Sequence, residues 1–476
     1  MSRLCLFVPL LAALLAACSG GTVRGGDVTA LAGFRKRLDY TLPPCGRAGL
    51  GSGSRSEAVT RRGRQYEVIG GLVMKKVRVL PVGDSSLESK VSKLRVDSFP
   101  YLPEPRDFGF YESFYHNWWG SSPLAGEVHR WAAVTSDGDV VGHLSALPQY
   151  YRVNGRRVIA HTPADYMVHP RHGFQALSLM RTFFRTCENC VACDMVPATI
   201  GIETRLGAEV AGQLGYALKL LNVSRLPAPA ALESVKKRLG LFAPYGGPTP
   251  GDPEQEAGDG TAAQEFQDRA PTPRPRLPLP EPVKGTLNGG LRAIDGVLGR
   301  TFGATPKVKL LGEFDGSFDG LFERVAEAVP CTVERDAAFL RWRYGPGSPQ
   351  APVTVIGVKS REDLLGYAVL KIANSIDGYI LDLTALPGRR DVTRALVLEA
   401  IRLLREAGGH IIRYRYQDSP ASARGGDLRR LGFFYRQERR NSLLTKFSDP
   451  DQHKVTRHIA NWAYTLGDGE AAFWMR

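Results

Sequence analysis

The chain has 476 residues, 43% of them hydrophobic, and a formal net charge of +14 from 62 basic and 48 acidic side chains. That length exceeds one ordinary core and predicts two domains, and seven cysteines in so long a chain fit no disulfide framework. The charge points to anionic ligands, but the arginines are scattered rather than gathered into a stripe, so nucleic acid is not the expected partner.

Residues 4–17 form an apolar run of about 14 residues, short for a membrane-spanning helix and of the size of a signal-peptide core. With Arg3 before it and Leu15, Ala16, Ala17 and Cys18 at its end, it resembles a bacterial lipoprotein signal peptide lipidated at Cys18. Residues 19–73 are rich in Gly, Arg and Ser and show no sustained periodicity, the composition of an unfolded segment. Our reading takes 1–73 as a mis-called extension, Met74 as the start and the protein as cytoplasmic; the alternative is an exported lipoprotein anchored at Cys18. No transmembrane segment is expected.

Regular pattern begins at Met74. Val77 and Val79 alternate with Lys76 and Arg78 as a strand, and Ser85 and Glu88 are spaced as a capping box for a helix carrying Leu87, Val91 and Leu94. Phe110, Tyr111, Phe114, Tyr115, Trp118 and Trp119 then crowd one stretch, either lining an acceptor pocket or filling a core. Residues 131–134 and 140–144 flank Asp137, Gly138 and Asp139 as a hairpin, and residues 150–153 and 157–160 flank Asn154-Gly155, a strong two-residue turn signal.

The stretch around which the chain is organised follows. Asp165, Tyr166, Met167 and Val168 read as a strand; His169, Pro170, Arg171, His172 and Gly173 as a basic turn; and Ala176, Leu177, Met180, Phe183 and Phe184 recur as the apolar face of a helix. Backbone amides of Gly173, Phe174, Gln175 and Ala176 would crown that helix, with Arg171 beside them, and such an end attracts phosphate. A strand over 191–196 and a helix over 203–214 come next, closing at Leu214, Gly215 and Tyr216 with the glycine as a C-cap. Cys187, Cys190 and Cys193 lack a fourth ligand for a closed metal site, so they read as inert thiols and no metal is expected.

Proline-rich runs mark 226–306 as a linker or insertion. The second half, 307–447, carries strands over 353–358, 366–372 and 378–386, a helix over 393–407 stopped by Gly408 and Gly409, a strand over 410–416, and a short helix ending at Leu431, Gly432 and Phe433. Asp165 to Pro170 and Asp382 to Pro387 are both five residues, and Gly173 to Gly215 spans 42 against 43 from Arg389 to Gly432, a spacing that predicts an internal repeat. The loop of the second copy places Gly388 before Arg389 and Arg390 and adds Asp391, so that copy is not expected to hold phosphate. Residues 448–476 form a tail with Trp462, Tyr464 and Trp474.

Residues 165–176 resemble motif A of the GNAT acyltransferase superfamily, which typically reads Val-x-Pro followed by Arg/Gln-x-x-Gly-x-Gly/Ala. The pattern here is Arg171-x-Gly173-x-x-Ala176, one residue out of register. The resemblance implies an α+β (mixed α/β) chain of two GNAT-like domains, residues 74–225 and 307–447, each a twisted, mostly antiparallel sheet flanked by helices. It implies acetyl-CoA or another acyl-CoA as cosubstrate, held by Arg171, Gly173, Phe174, Gln175 and Ala176, with the thioester carbonyl received near Met167 and Val168. It implies a small-molecule amine as acceptor, by analogy a sugar or cell-envelope precursor, and Asp165 as the base, with His161 as a second candidate. The tyrosine that relatives place four residues before the closing glycine is Ala211 here and Leu428 in the second copy. Tandem GNAT architecture also resembles aminoacyl-tRNA-dependent peptidyltransferases of cell-wall synthesis. The alternative is a non-catalytic tandem binding or structural protein.

Overall fold

The computed structural model describes residues 58–61, 64–69, 72–75, 77–83, 85–98, 123, 126–224, 281–300, 303, 305–373, 376–436 and 440–470. The leader with Cys18, the aromatic stretch 108–119, the proline-rich runs within 226–280 and Trp474 lie outside the described residues. The chain divides into two compact units, residues 1–76 with 228–252, and residues 77–227 with 253–476.

The described part of the first unit is an antiparallel sheet of β1 (Ala58–Arg61), β2 (Arg64–Ile69) and β3 (Leu72–Lys75). This corrects the reading of residues 19–73 as patternless. Tyr66 and Val68 alternate with Gln65 and Glu67, and Arg62-Gly63 and Gly70-Gly71 separate the strands; the runs are too short to stand out in a glycine-rich context.

The second unit holds both halves of the repeat. Its first half runs β4 (Val77–Pro81), α1 (Ser85–Ser98), β5 (His129–Thr135), β6 (Val140–Val153) and β7 (Arg156–Val168). It continues with α2 (Gln175–Thr186), β8 (Cys190–Asp194), α3 (Pro197–Arg205), β9 (Glu209–Gln213) and β10 (Gly215–Leu220). Asn154 and Gly155 turn the β6–β7 hairpin with φ of 48° and 75°, the left-handed pair that matches strand twist. Leu179, Met180, Phe183 and Phe184 of α2 pack on Trp131, Ala133 and Leu144, while Val91 and Leu94 of α1 cover Ala132, Val134 and Met167 on the opposite face. Alternate residues of β5 therefore serve different helices. Leu177, expected on the buried face of α2, is 38% exposed, and Glu88 is held in a two-hydrogen-bond pair by Arg130 at 2.7 and 2.9 Å.

The helix expected over 203–214 is not formed. Pro197 opens α3 at its first turn, Leu206 and Gly207 close it, and Gly207 has the left-handed φ of 96° that the C-cap reading had given to Gly215. Gly215 instead begins β10, where a Cβ would come within 3.2 Å of the Tyr416 ring.

The second half comprises α4 (Glu281–Arg300), β11 (Lys309–Leu310), α5 (Gly316–Ala328), β12 (Cys331–Val333) and α6 (Ala337–Tyr344). The meander β13 (Thr354–Ser360), β14 (Asp363–Ala373) and β15 (Asp377–Ala385) leads to α7 (Arg390–Glu406), β16 (Ile411–Tyr416), α8 (Gly425–Arg430) and β17 (Phe434–Tyr435). Then come β18 (Ser442–Lys446), α9 (Pro450–Thr456) and β19 (Trp462–Ala463). Leu431-Gly432, with φ of 79° at the glycine, is thus the counterpart of Leu206-Gly207. The matched spacing to Gly215 was a coincidence, since α2 has 12 residues and α7 has 17.

The two sheets trade strands. One has the order β11-β13-β14-β15-β16-β10-β17; the other runs β19-β12-β6-β7-β8-β18-β9, with β5 and β4 continuing from β6. Strand β18, from the second half, lies antiparallel between β8 and β9 of the first, Leu444 facing Ala192 and Val210. Strand β10, from the first half, lies between β16 and β17 of the second. Between the sheets, Leu147, Tyr151 and Val191 share one core with Phe318, Leu340, Tyr367, Leu381, Trp462 and Tyr464. The chain is a mixed α/β tandem of two mainly antiparallel sheets flanked by helices, the class that the sequence resemblance implies.

The exchange makes a testable demand. Leu444 belongs to the second half in sequence but is 1% exposed in the core beneath α2. Leu444→Ala is expected to cost about 2–5 kcal/mol and to raise amide hydrogen exchange in α2 and β8, which lie some 260 residues earlier in the chain; unchanged exchange there would count against the swap.

Candidate functional site

Strands β7 and β8 run parallel but meet at a single register pair, His161 with Cys190, and then part. The gap opens toward the first turn of α2. Among the described residues, such a fork offers an opening for an extended ligand edge-on, because the strand edges above the bridge are not paired with one another.

A bulge shapes the β7 arm. His143 pairs with Met167 and Ser145 with Ala164, so Leu144 alone faces Asp165 and Tyr166, and Asp165 takes a φ of 50°. The extra residue shifts the alternation by one. His161 therefore shares the α2 face, stacked at 6.0 Å on His129, whose ring in turn stacks on Trp131. The Asp165 side chain turns to the opposite face and meets Arg95 of α1 at 3.0 and 2.5 Å and His143 at 2.8 Å, all three fully buried. The two candidate bases are thus not brought together.

Burial alone would raise the Asp165 carboxyl, but Arg95 and His143 outweigh it and hold the group well below the usual carboxylate range. It is a fixed anion locking α1 to the bulge, too weakly basic to deprotonate an ammonium ion. Burial, reinforced by His129, lowers His161, so its imidazole is neutral near pH 7. His143 is lowered by burial despite the pull of Asp165.

The turn before α2 is more regular than its sequence suggests. Pro170–His172 form a 3-10 turn, and Gly173 (φ −53°, ψ −27°) and Phe174 (φ −64°, ψ −21°) continue in helical conformation into α2. Gly173 therefore does not supply a left-handed angle. The Ala176 amide, expected to face phosphate, donates to the Gly173 carbonyl at 3.1 Å and is removed from the cradle, and Gln175 is buried. Arg171, Gly173 and Phe174 are exposed. Met167 and Val168 lie in register with His143 and Gly142, and the Asp165 amide, released by the bulge, holds a side-chain oxygen, that of Glu470.

The repeat also exposes a residue that the sequence reading passed over. With Gly207 as the closing glycine, the position four residues before it is Glu203, not Ala211. Glu203 is fully buried, and neither carboxylate oxygen meets a hydrogen-bond partner among the described residues. Burial and the neighbouring Asp194 push it up to about 8, so it is mainly protonated at neutral pH. Tyr166 on β7, raised by burial and by Glu203 and Asp194, donates its hydroxyl to the Ala176 carbonyl at 2.9 Å. Tyr166, Asp194 and Glu203 thus cluster between the fork arms and the helices beside them. The second copy has Leu428 at the equivalent point, fully buried, so packing there does not require a carboxyl. The signal that would have found Glu203 is the Leu206-Gly207 doublet.

The described cysteines are free thiols in partly or fully buried surroundings. Cys190 donates to the Cys187 carbonyl, and burial raises Cys187 and Cys331 to about 12 and Cys190 well above its ordinary value. In the second half, Asp427 takes Arg390 at 2.8 Å and Arg394 at 2.9 Å, Asp391 takes Arg389, and the turn before α7 neutralises itself. The second fork is filled as well. Strands β15 and β16 part after Ile380 and Tyr414, and beyond that point Thr465 of the tail pairs with Tyr416 while Gly467 lies against the Leu381 carbonyl.

The chain resembles solved GNAT-fold proteins. A GCN5-related N-acetyltransferase from Anabaena variabilis aligns over 80% of this chain and 75% of its own at 10% identity, with a TM-score of 0.46. A probable N-acyltransferase from Enterococcus faecalis aligns over 80% and 75% at 11% identity and 0.44. Saccharomyces cerevisiae N-myristoyltransferase with bound myristoyl-CoA aligns over 81% and 89% at 12% identity and 0.43. No family model matches the chain, and no curated protein matches it in sequence.

Glu203 makes stability depend on pH in a defined direction. Its carboxyl is raised from 4.5 to about 8 on folding, so its contribution is full below about pH 4.5 and is lost as pH rises toward 8. Glu203→Leu is expected to abolish that slope and to stabilise the protein by roughly 2–4 kcal/mol at pH 8, read from denaturant midpoints across pH.

Proposed function

We propose that the first half is an acyl-CoA-dependent N-acyltransferase, with acetyl-CoA as the donor we favour and a small-molecule amine as acceptor. The observation that carries this reading is the fork: parallel β7 and β8 part from a single bridge toward a helix N-terminus, with the Asp165 amide turned out of the ladder by the bulge on one arm and a carboxyl raised to about 8 in the wall. The pyrophosphate would lie against the exposed first turn at Gly173 and Phe174, with Arg171 supplying charge, and the pantetheine arm would lie between the strands.

In this reading an amine nitrogen attacks the thioester carbon and its lone pair forms the C–N bond. The Asp165 amide receives the negative charge that gathers on the carbonyl oxygen. The C–S bond breaks, its electron pair leaves on sulfur, and the proton on Glu203, retained at neutral pH, passes to the thiolate. The ammonium proton leaves to a neutral base or to water; His161, whose burial keeps its imidazole unprotonated, is the candidate of the first half, and Asp165 serves as a positioning anion through Arg95. We place this chemistry in the cytoplasm on the grounds that acyl-CoA is a cytosolic cosubstrate. The second half acts as scaffold, its turn neutralised and its fork filled.

Calorimetry of the full chain against acetyl-CoA tests the reading, and absence of heat at millimolar ligand would end it. Gly173→Glu is expected to abolish binding by putting a carboxylate against the pyrophosphate. Glu203→Leu is expected to bind acetyl-CoA as the wild type does but to release free thiol at least about 100-fold more slowly with an amine panel, the stabilised protein being the less active one.

A further inference from the structure

The tail that fills the second fork does not stop there. Arg335, buried between β12 and α6, binds Asp468 with 2.7 Å to Oδ1 and a second contact to Oδ2, and also reaches the Ala463 carbonyl at 2.9 Å. Arg343 donates to the Gly469 carbonyl at 2.7 Å. Gly467 sits so close to the Tyr344 hydroxyl that a Cβ would come within 1.9 Å of it. These contacts steer the chain out of the second fork and into the first. There Gly469 lies beside β8, where a Cβ would be 3.7 Å from that of Cys193, and Glu470 lies beside β7, its carboxylate accepting the Asp165 amide at 2.5 Å.

The contact is chemically specific. The Asp165 amide is the donor that the bulge withdraws from the β6–β7 ladder, and the group it holds is a carboxylate oxygen delivered from 305 residues away. A carboxylate oxygen and a thioester carbonyl oxygen make the same demand on such a donor: one acceptor lone pair in the plane of an sp² carbon. Both cannot accept it together at this distance.

We propose that Glu470 is an internal competitor of the acyl donor, its carboxylate standing at the Asp165 amide where the acyl carbonyl oxygen would bind, so that the C-terminal tail governs donor access to the first fork. This rests on the acyl-CoA reading of that fork. Donor entry then exchanges one acceptor for another at an amide that stays satisfied, and Glu470 has to swing aside while Asp468 and Gly469 remain anchored on Arg335 and Arg343. Affinity for the donor is reduced by the strength of the bond it replaces, a charge-assisted hydrogen bond.

The test compares full-length wild type, Glu470→Ala and Glu470→Gln by calorimetry with acetyl-CoA and, separately, with CoA, which lacks the carbonyl. The expected result is about tenfold tighter binding of acetyl-CoA by Glu470→Ala, a smaller gain for Glu470→Gln, whose amide oxygen still accepts, and no gain for CoA. Equal gains for acetyl-CoA and CoA would overturn carbonyl competition in favour of simple crowding, and equal affinities across the three proteins would overturn the proposal outright. Hydrogen exchange at the Asp165 amide provides a readout independent of any ligand: faster exchange in Glu470→Ala than in wild type supports the contact, and identical exchange removes it. If none of the proteins binds either ligand, the acyl-CoA reading fails and the competition with it, whatever the exchange data say about the tail.

Discussion

The molecule is held together by an exchange of backbone hydrogen bonds between its halves. β18 supplies the strand between β8 and β9, and β10 supplies the strand between β16 and β17. Neither sheet is continuous without the other half's strand, and an unpaired strand in a sheet interior leaves polar groups that burial makes expensive. The shared core between the sheets follows from that stitching, and so does the position of the tail, which leaves β18, crosses the core at Trp462 and Tyr464, and reaches the first fork at Glu470. The geometry of the candidate site thus depends on residues from both ends of the second unit.

The two copies differ in chemistry at equivalent points of the same frame. At the closing helix the first copy has Glu203 and the second Leu428, both fully buried. At the turn before the long helix the first copy leaves Arg171 exposed, and the second ties Arg389, Arg390 and Arg394 to Asp391 and Asp427. At the strand before that turn Asp165 is balanced by Arg95 and His143, whereas Asp382 shares Arg335 with Asp468, takes hydrogen bonds from Tyr367 and Thr384, and is raised by burial and that second carboxylate. Keeping a carboxyl in a site that leucine can fill costs stability, because the buried group loses its water without gaining a hydrogen-bond partner among the described residues.

The sequence made the elements with local causes legible. Asn154-Gly155 specified its hairpin, the 3.6 periodicity after Gly173 specified α2, and the meander of the second half could be placed to within a few residues, whereas 140–144 and 150–153, read as separate arms, form the single strand β6, and 157–160 and 165–168 the single strand β7. The misses came from effects that local pattern does not carry. Gly215 resembled a helix cap because Leu-Gly-Tyr is locally compatible with one, yet the true cap, Gly207, was already fixed by the helix that Pro197 opens. Asp165 read as an accessible base because strict alternation put it beside His161, and one bulge residue sent it to the other face. The partner of β18 lies some 250 residues away in the chain, and strand pairing at that distance leaves no periodic trace in either segment.

The exchanged strands also set a schedule for synthesis. β8 and β9 emerge from the ribosome long before Ser442–Lys446, the segment that will join them. At about 5–20 residues per second the slot stays open for on the order of 10–50 s, presenting two strand edges side by side to any extended segment nearby. β10 waits on the same schedule from the other side, made early and lodged only when β16 and β17 exist. The period for which the nascent first half exposes these edges is fixed by the distance in sequence between a slot and the strand that closes it.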